Sequence, residues 1–250
     1  MSIGIMLNKE EQYEALVENR KSCRLCAEYG FCNPNETAYE TDEIGPYSKW
    51  AHDLNAEVMI VAQDFADKDS YDKFQGTVQM KEIVDLESYK EYDTITNYNL
   101  RVLSKNISQI KLGCPSKSSG ENVFITNVVL CLKTGNMSGP FSSKATKNCS
   151  QNYLKPLIDI IKPKALIALG SESTFAIINL FKAENPELVA LAKSNFKDVF
   201  KNSPIRLNEE LVLYPMYHPS NLGVNNRNKI EVEKKERMFY NNEDWKRVRL

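Results

Sequence analysis

The sequence predicts an α/β fold, a three-layer α/β/α sandwich with a central four-stranded parallel sheet. Four short apolar runs lack polar alternation, which is typical of strands buried on both faces. Segments with helical spacing separate these runs, and this alternation implies a parallel sheet with helices on both sides. The length of 250 residues suits one such fold, so we take 1–250 as a single domain.

Composition narrows the class of protein. Hydrophobic residues make up 42% and charged residues 26% of the chain, as in water-soluble globular proteins. No apolar run approaches the roughly 20 residues needed to cross a bilayer, so no membrane contact is expected. The N-terminus is too short and too polar in its middle to be a secretory signal. These features predict a cytoplasmic (intracellular) protein, which we expect to be a monomer.

Charge is segregated along the chain although the formal net charge is only −1. Residues 28–93 contain 16 Asp and Glu against 5 Lys and Arg, a balance of −11, whereas residues 101–170 contain 10 Lys and Arg against 2 Asp and Glu, a balance of +8. Such segregation can create a basic face suited to phosphate backbones, although a solvated surface with no partner explains it as well.

The predicted strands begin at Val58, Val123, Ala165 and Leu211. Helical spacing predicts helices over 7–19, 99–110, 147–161 and 174–181, some helix within 183–204, and a charged surface helix over 230–250. The remaining features are an N-terminal cysteine segment at 20–35 and an acidic insertion at about 66–97, which is long enough to suggest a functional or mobile loop.

Six cysteines without an export signal indicate thiols that bind metal or stay free. The motif Cys23-Arg24-Leu25-Cys26 directs two thiolates towards one metal site from a single turn. One pair supplies only two ligands, so others must come from the cysteines elsewhere in the chain: Cys32, Cys114, Cys131 and Cys149.

Polar residues stand at three predicted strand ends: Gln63-Asp64, Asn127 and His218. Each has an ordinary explanation as a solvated carboxylate, a capping amide or a hydrogen-bonded surface imidazole. Ligands bind beyond the carboxyl ends of parallel strands, however, and all three groups arrive at the same predicted edge of the sheet. Together with the cysteines, they predict one catalytic site.

These motifs resemble those of the uracil-DNA glycosylase superfamily. The resemblance rests on Ala62-Gln63-Asp64, on Ile125-Thr126-Asn127-Val128-Val129-Leu130-Cys131 and on His218-Pro219-Ser220-Asn221-Leu222, in the family's order. The cysteines resemble those of the iron–sulfur branches, which implies a [4Fe-4S] cluster held by Cys23, Cys26, Cys131 and Cys149. Cys32 is an alternative to Cys23, Cys114 is expected to be a spare thiol, and structural zinc is the alternative to a cluster.

The resemblance implies removal of uracil from single- or double-stranded DNA. Asp64 would stabilise the oxocarbenium ion and orient water, and His218 would stabilise the departing base anion. Asn127 and Gln63 would bind the flipped base, and Leu222 would fill the hole in the stack. Two further sets would complete the site: an aromatic that stacks on the base, chosen from Phe65, Phe74, Tyr92 and Tyr98, and phosphate-binding residues such as Lys133, Lys144, Lys147 and Arg227.

The chain also departs from the family pattern. Ala62 stands where the family usually has Gly, and Phe65 where it has Pro. Ala66 replaces the Tyr that blocks the thymine methyl in the branches with Gln-Asp, and the iron–sulfur branches more often have Glu-Ala in place of Gln63-Asp64. The sequence therefore combines features of two branches of the superfamily. The alternative to an active glycosylase is an inactive superfamily member that binds nucleic acid or a protein partner.

Overall fold

A computed structural model of the protein describes residues 7–37, 42–45, 47–48, 51–64, 67–68, 95–113, 120–135 and 142–250. Within these residues the strands are β1 (Phe31–Cys32), β2 (Val58–Ala62), β3 (Val123–Asn127), β4 (Leu132–Lys133), β5 (Ala165–Leu169), β6 (Ile205–Arg206) and β7 (Val212–Met216). The order in the main sheet is β3-β2-β5-β7-β6, and β1 pairs with β4 in a separate ribbon.

The four long strands β3, β2, β5 and β7 are parallel, which confirms the predicted central sheet. The short β6, which the sequence analysis did not predict, adds an antiparallel edge to β7. Consecutive residues of β2 contribute to opposite faces: Met59 and Val61 belong to one apolar core, and Val58 and Ile60 to the other. Both faces are therefore buried, which explains why these runs show no polar alternation.

The described helices are α1 (Lys9–Ser22), α2 (Ile95–Ser104), a continuous helix α3 made of Ser143–Cys149, the π-helical turn Ser150–Leu154 and Lys155–Ile161, then α4 (Ser171–Phe181), α5 (Leu188–Leu191), α6 (Phe196–Lys201), α7 (Asn221–Asn228) and α8 (Phe239–Trp245). Residues of α1, α3 and α4 pack on one face of the sheet, and residues of α2 and α8 pack on the other. The predicted three-layer sandwich is thus confirmed. In the described residues, no helix is long and apolar enough to cross a membrane.

The C-terminal prediction is wrong. Instead of a surface helix over 230–250, the only helix in this segment is α8, and it ends at Trp245, which is 1% exposed. Val248 is buried as well, and both side chains pack in the core formed with α2. The many charges of the tail suggested a solvated helix, whereas two apolar side chains three residues apart anchor it to the sheet.

Candidate active site

The sheet brings the predicted polar residues to one edge. In the register of β2 and β3, Ala62 lies opposite Asn127, so Gln63 and Asp64 leave β2 directly beside Asn127. On the other side of β2, β5 is followed by Gly170, whose backbone N–H donates to the Met216 carbonyl, two residues before His218. The carboxyl ends of the four parallel strands therefore form one continuous edge that carries the carboxylate, the amide and the imidazole.

The Asn127 side chain is buried, with 1% of its surface exposed, at the last position of β3. Among the described residues, neither its amide nitrogen nor its amide oxygen has a hydrogen-bond partner. A buried polar group without a partner destabilises a protein by about 1–3 kcal/mol, so native structures rarely retain one without a function. The amide is thus an unmatched donor and acceptor at the edge where a ligand is expected.

Asp64 is largely buried, and burial raises the pKa of its carboxyl above the usual range. Two contacts oppose that shift: the Gln63 amide donates a 3.1 Å hydrogen bond to Asp64 Oδ2, and Lys133 Nζ lies 4.0 Å from the same oxygen. The nearby charge of Asp67 adds to the effect of burial and raises the pKa of Asp64, because the two carboxylates repel each other. One of the two N–H donors of the Gln63 amide is thus directed at Asp64, and the contact of Gln63 with a base stays a prediction.

His218 follows β7 and lies beside the end of β5: a Cβ added to Gly170 would stand 3.6 Å from the His218 Cβ. Burial lowers the pKa of His218 to about 4, so the imidazole is neutral at physiological pH. The Ser220 backbone N–H donates to His218 Nδ1 at 3.2 Å, which places the ring proton on Nε2. His218 can therefore donate one hydrogen bond from Nε2 without carrying charge.

Leu222 lies in the first turn of α7 and is 69% exposed. Its helix begins immediately after His218, with Ser220 as the N-cap that accepts from Gly223. The turn is tight: a Cβ at Gly223 would lie 2.0 Å from the His218 carbonyl oxygen, so only glycine fits. Leu222 thus projects from a rigid turn directly beside the predicted catalytic imidazole.

Two further residues support this edge: Asn99, which the sequence analysis did not single out, and Lys133, for which it predicted another role. The Asn99 side chain in α2 is 1% exposed and donates a 2.6 Å hydrogen bond to the Pro219 carbonyl, which fixes the turn after His218. Lys133, predicted to bind phosphate, is instead buried against Asp64. Asn99 could have been found from the sequence, because an asparagine on the buried face of an amphipathic helix indicates a hydrogen bond inside the protein. Nothing in the sequence near Lys133 indicated its contact with Asp64.

The phosphate assignment of Arg227 is also wrong, because this side chain is 2% exposed and its guanidinium binds Asp244. Lys144 and Lys147 are exposed and stay candidates for phosphate contacts. Of the aromatic residues considered for stacking on the base, Tyr98 is half-buried in α2. Phe65, Phe74 and Tyr92 lie outside the described residues, as do Ala66 and Cys114.

Three cysteine thiols meet between α3 and the N-terminal segment, and a fourth is in contact with Tyr153 of α3. Cys26 contacts Cys149, Cys149 contacts Cys131, and the Tyr153 hydroxyl contacts Cys23. Contact with the Cys131 thiol, together with burial, raises the pKa of Cys149 to about 12. Asn148 Nδ2 also lies 3.8 Å from Cys26 Sγ, the kind of hydrogen bond to sulfur that tunes iron–sulfur clusters.

Thiolates are ligands for iron–sulfur clusters and for zinc, so the chemistry of these donors fits either group. Among the described residues, no three His, Cys, Asp or Glu side chains are arranged to hold a single metal ion. The thiol–thiol contacts join Cys26, Cys149 and Cys131, the Tyr153 hydroxyl contacts Cys23, and Cys32 lies in β1 opposite Leu132.

Comparison with known proteins identifies the family. Residues 52–242, which include the three polar strand ends, match the family model described as "Uracil DNA glycosylase superfamily". A curated relative, the "Type-4 uracil-DNA glycosylase" of Sulfurisphaera tokodaii, is 32% identical over 100 residues. That alignment covers 40% of this chain and 41% of the relative, so the chain spans less than half of the relative's length. Because the family model matches most of the sequence, the chain belongs to the uracil DNA glycosylase superfamily.

Proposed function

We propose that the protein is a DNA N-glycosylase that hydrolyses the N-glycosidic bond of uracil, or of a related deaminated base, in DNA. Family membership supports a DNA glycosylase in general. The observation that carries the finer assignment is the buried amide of Asn127 beside Asp64, which has no hydrogen-bond partner among the described residues. Its donor and acceptor can match O4 and N3–H of a flipped-out uracil.

The proposed mechanism divides the developing charges between two groups. Breaking the bond leaves positive charge on the sugar and negative charge on the base. Asp64 stabilises the sugar cation as a carboxylate and orients the attacking water, while the Nε2–H of His218 donates to O2 of the departing base. A neutral imidazole suits this role, because its ring proton is already oriented by the Ser220 contact and needs no charge to donate.

Leu222 and the exposed lysines are proposed to act on DNA outside the pocket. The exposed leucine would enter the base stack and fill the space that the flipped nucleotide leaves. Lys144 and Lys147 would contact phosphates. A monomer is sufficient for this mechanism, because every proposed group belongs to one chain.

Cys23, Cys26, Cys131 and Cys149 are proposed to hold a [4Fe-4S] cluster. When bound, the cluster would supply four metal–thiolate bonds that tie the N-terminal segment to α3 and to the loop after Asn127. Its role would be structural: Cys131 lies two residues from Lys133, whose ammonium contacts Asp64, so fixing this loop also fixes a charge next to the carboxylate.

The proposed activity is tested with oligonucleotides that contain one uracil, in single-stranded form and opposite guanine or adenine. We expect abasic product from the uracil substrates, and matched thymine substrates measure whether the methyl group is excluded where Ala66 replaces the blocking Tyr. DNA binding without any abasic product across the pH range would instead identify a non-cleaving member of the superfamily. A panel of deaminated bases would then define the range of substrates.

The cluster assignment predicts colour that depends on particular thiols. Protein prepared without oxygen should be brown with a broad visible absorption band, and Cys26→Ser or Cys149→Ser should bleach it, because each removes a ligand in contact with another. Cys32→Ser is the matched control and should keep the band. Colourless protein that contains zinc, or equal bleaching by all three changes, would contradict the assignment.

The buried His218 predicts a loss of stability in mild acid. Its pKa is about 4 in the folded protein and about 6.5 in the unfolded chain, so the unfolded state binds the extra proton between these values. The free energy of unfolding therefore falls as the pH is lowered from about 6.5 to about 4, by at most about 3 kcal/mol. Urea unfolding of the wild type and of His218→Asn should show that part of the pH dependence disappear in the variant. Superimposable curves would exclude the buried neutral imidazole.

A further inference from the structure

The helix that presents Leu222 is poor in helix-forming residues. α7 has the sequence Asn-Leu-Gly-Val-Asn-Asn-Arg-Asn, in which four asparagines and one glycine all favour other conformations. Eight residues are also too few to form a stable helix in water. Two of its side chains are nearly inaccessible, Val224 at 0% and Arg227 at 2% exposed. Tertiary contacts at these two positions therefore help to hold the helix together, beside the hydrogen bonds of Asn221 and Asn228 with Arg237.

Arg227 has contacts on every side of its guanidinium. Nε and Nη2 donate to the two carboxylate oxygens of Asp244 at 2.5 and 3.0 Å, a bidentate pair, and Nη1 donates to Glu231 at 2.6 Å. The rings of Phe200 and Tyr240 each lie 5.1 Å from the guanidinium carbon, within the range of cation–π contacts. A planar guanidinium suits this arrangement, which lysine cannot reproduce.

These contacts connect α7 to two other elements near the site. Asp244 and Tyr240 belong to α8, and Phe200 belongs to α6. Phe200 also makes an edge contact with Tyr217, the residue before His218, at a ring separation of 5.0 Å. The C-terminal helix therefore braces the end of α7 that lies away from His218.

The segment before α7, from β7 to Pro219, is held by other contacts. The Asn99 amide binds the Pro219 carbonyl, and the sheet fixes the strand that leads to His218. Loss of the Arg227 contacts would therefore leave the imidazole in place while α7 loses its last turn. Leu222 would then lose its rigid support.

We propose that Arg227 is a positioning residue for DNA: its clamp on Asp244, Phe200 and Tyr240 keeps α7 folded, so that Leu222 can enter the base stack. This inference rests on the proposed function, because it assigns the clamp to the wedge of a base-flipping enzyme. A wedge matters in a duplex, where the flipped base leaves a hole between stacked neighbours, and matters little in a flexible single strand. The clamp should therefore affect duplex DNA selectively.

The test compares uracil excision from duplex and single-stranded DNA by Asp244→Asn, which removes the bidentate carboxylate. We expect the duplex rate to fall by roughly tenfold, with the single-strand rate within about twofold of wild type, because only the duplex requires its stack to be filled. Leu222→Ala should give the same pattern. The double variant should be no worse than Leu222→Ala alone, since both changes would remove one function.

Asp159→Asn provides a matched control, because it removes a carboxylate from an exposed ion pair with Lys155 and should leave both rates unchanged. If Asp244→Asn does not fold, Tyr240→Leu replaces it in the test, because Tyr240 is half-buried and the change removes one ring contact with Arg227. The same ratio of duplex rate to single-strand rate is then measured. Hydrogen exchange should also accelerate at the amides of 224–228 and not in β5.

Equal losses of excision rate on both substrates, or additive losses in the double variant, would overturn the proposal. Absence of excision by the wild type would refute the proposed function instead, and exchange in α7 would still report on the clamp.

Discussion

Replacing Asp64 with asparagine should lower the rate of uracil excision by about 10³-fold or more while DNA binding is retained. The side chain keeps its shape but loses the charge that stabilises the sugar cation and the basicity that orients water. Single-turnover excision and a gel-based binding measurement separate the two effects. The proposed mechanism would be wrong if Asp64→Asn excised uracil at the wild-type rate.

Asp67 offers a matched control for this change, because it is a second buried carboxylate in the same region. Its charge contributes to the raised pKa of Asp64, although burial of Asp64 is the larger cause. Asp67→Asn should therefore remain active, and the acid limb of its pH–rate profile should move to lower pH, since Asp64 then ionises more readily. A loss of activity equal to that of Asp64→Asn would show that the two carboxylates act together.

Replacing Asn127 with leucine should lower excision by about 10²–10³-fold, because both hydrogen bonds to the base disappear. The same change should not destabilise the protein. It removes a buried amide that has no partner within the described residues, so the free energy of unfolding is expected to rise by about 1 kcal/mol. Urea unfolding and excision kinetics on one preparation would measure both quantities.

Asn33→Leu is the corresponding control at another buried asparagine. Its amide donates to the Arg20 and Cys23 carbonyls at 2.6 and 3.0 Å, and its oxygen accepts from the Asn35 backbone N–H. This variant should lose stability, because its partners become unpaired. Destabilisation of similar size in Asn127→Leu would mean that the Asn127 amide serves the fold, and the proposed base contact would lose its support.

The strand ends illustrate what could be predicted from local sequence. A strand buried on both faces must be apolar throughout, so the change to polar residues at Asp64 and after β7 marked where these strands leave the core. Parallel pairing then required these ends to share one edge. The end of β3 was not marked in this way: the apolar residues run on to Leu130, yet the strand ends at Asn127, and the Val128 and Val129 backbone N–H groups donate to the Ala62 and Gln63 carbonyls.

The basic residues illustrate the opposite case. Arg227 and Lys133 have charges that suggested contacts with phosphate, yet one is clamped by Asp244 and the other lies against Asp64. The charge of a side chain indicates which groups it can bind, but the fold determines which of those groups lies next to it. The partner of Arg227 is 17 residues further along the chain, in a tail whose composition suggested a solvated helix.

The sequence by itself determined the layers, the parallel order implied by strands alternating with helices, and the types of group at the edge of the sheet, because hydrophobic period and strand termini are local properties. Only the tertiary structure decided that the Asn127 amide has no partner among the described residues, that His218 is largely buried and neutral, and that α8 braces α7. These properties depend on which groups distant in the chain come within hydrogen-bonding distance and on how far water is excluded, and both are consequences of packing.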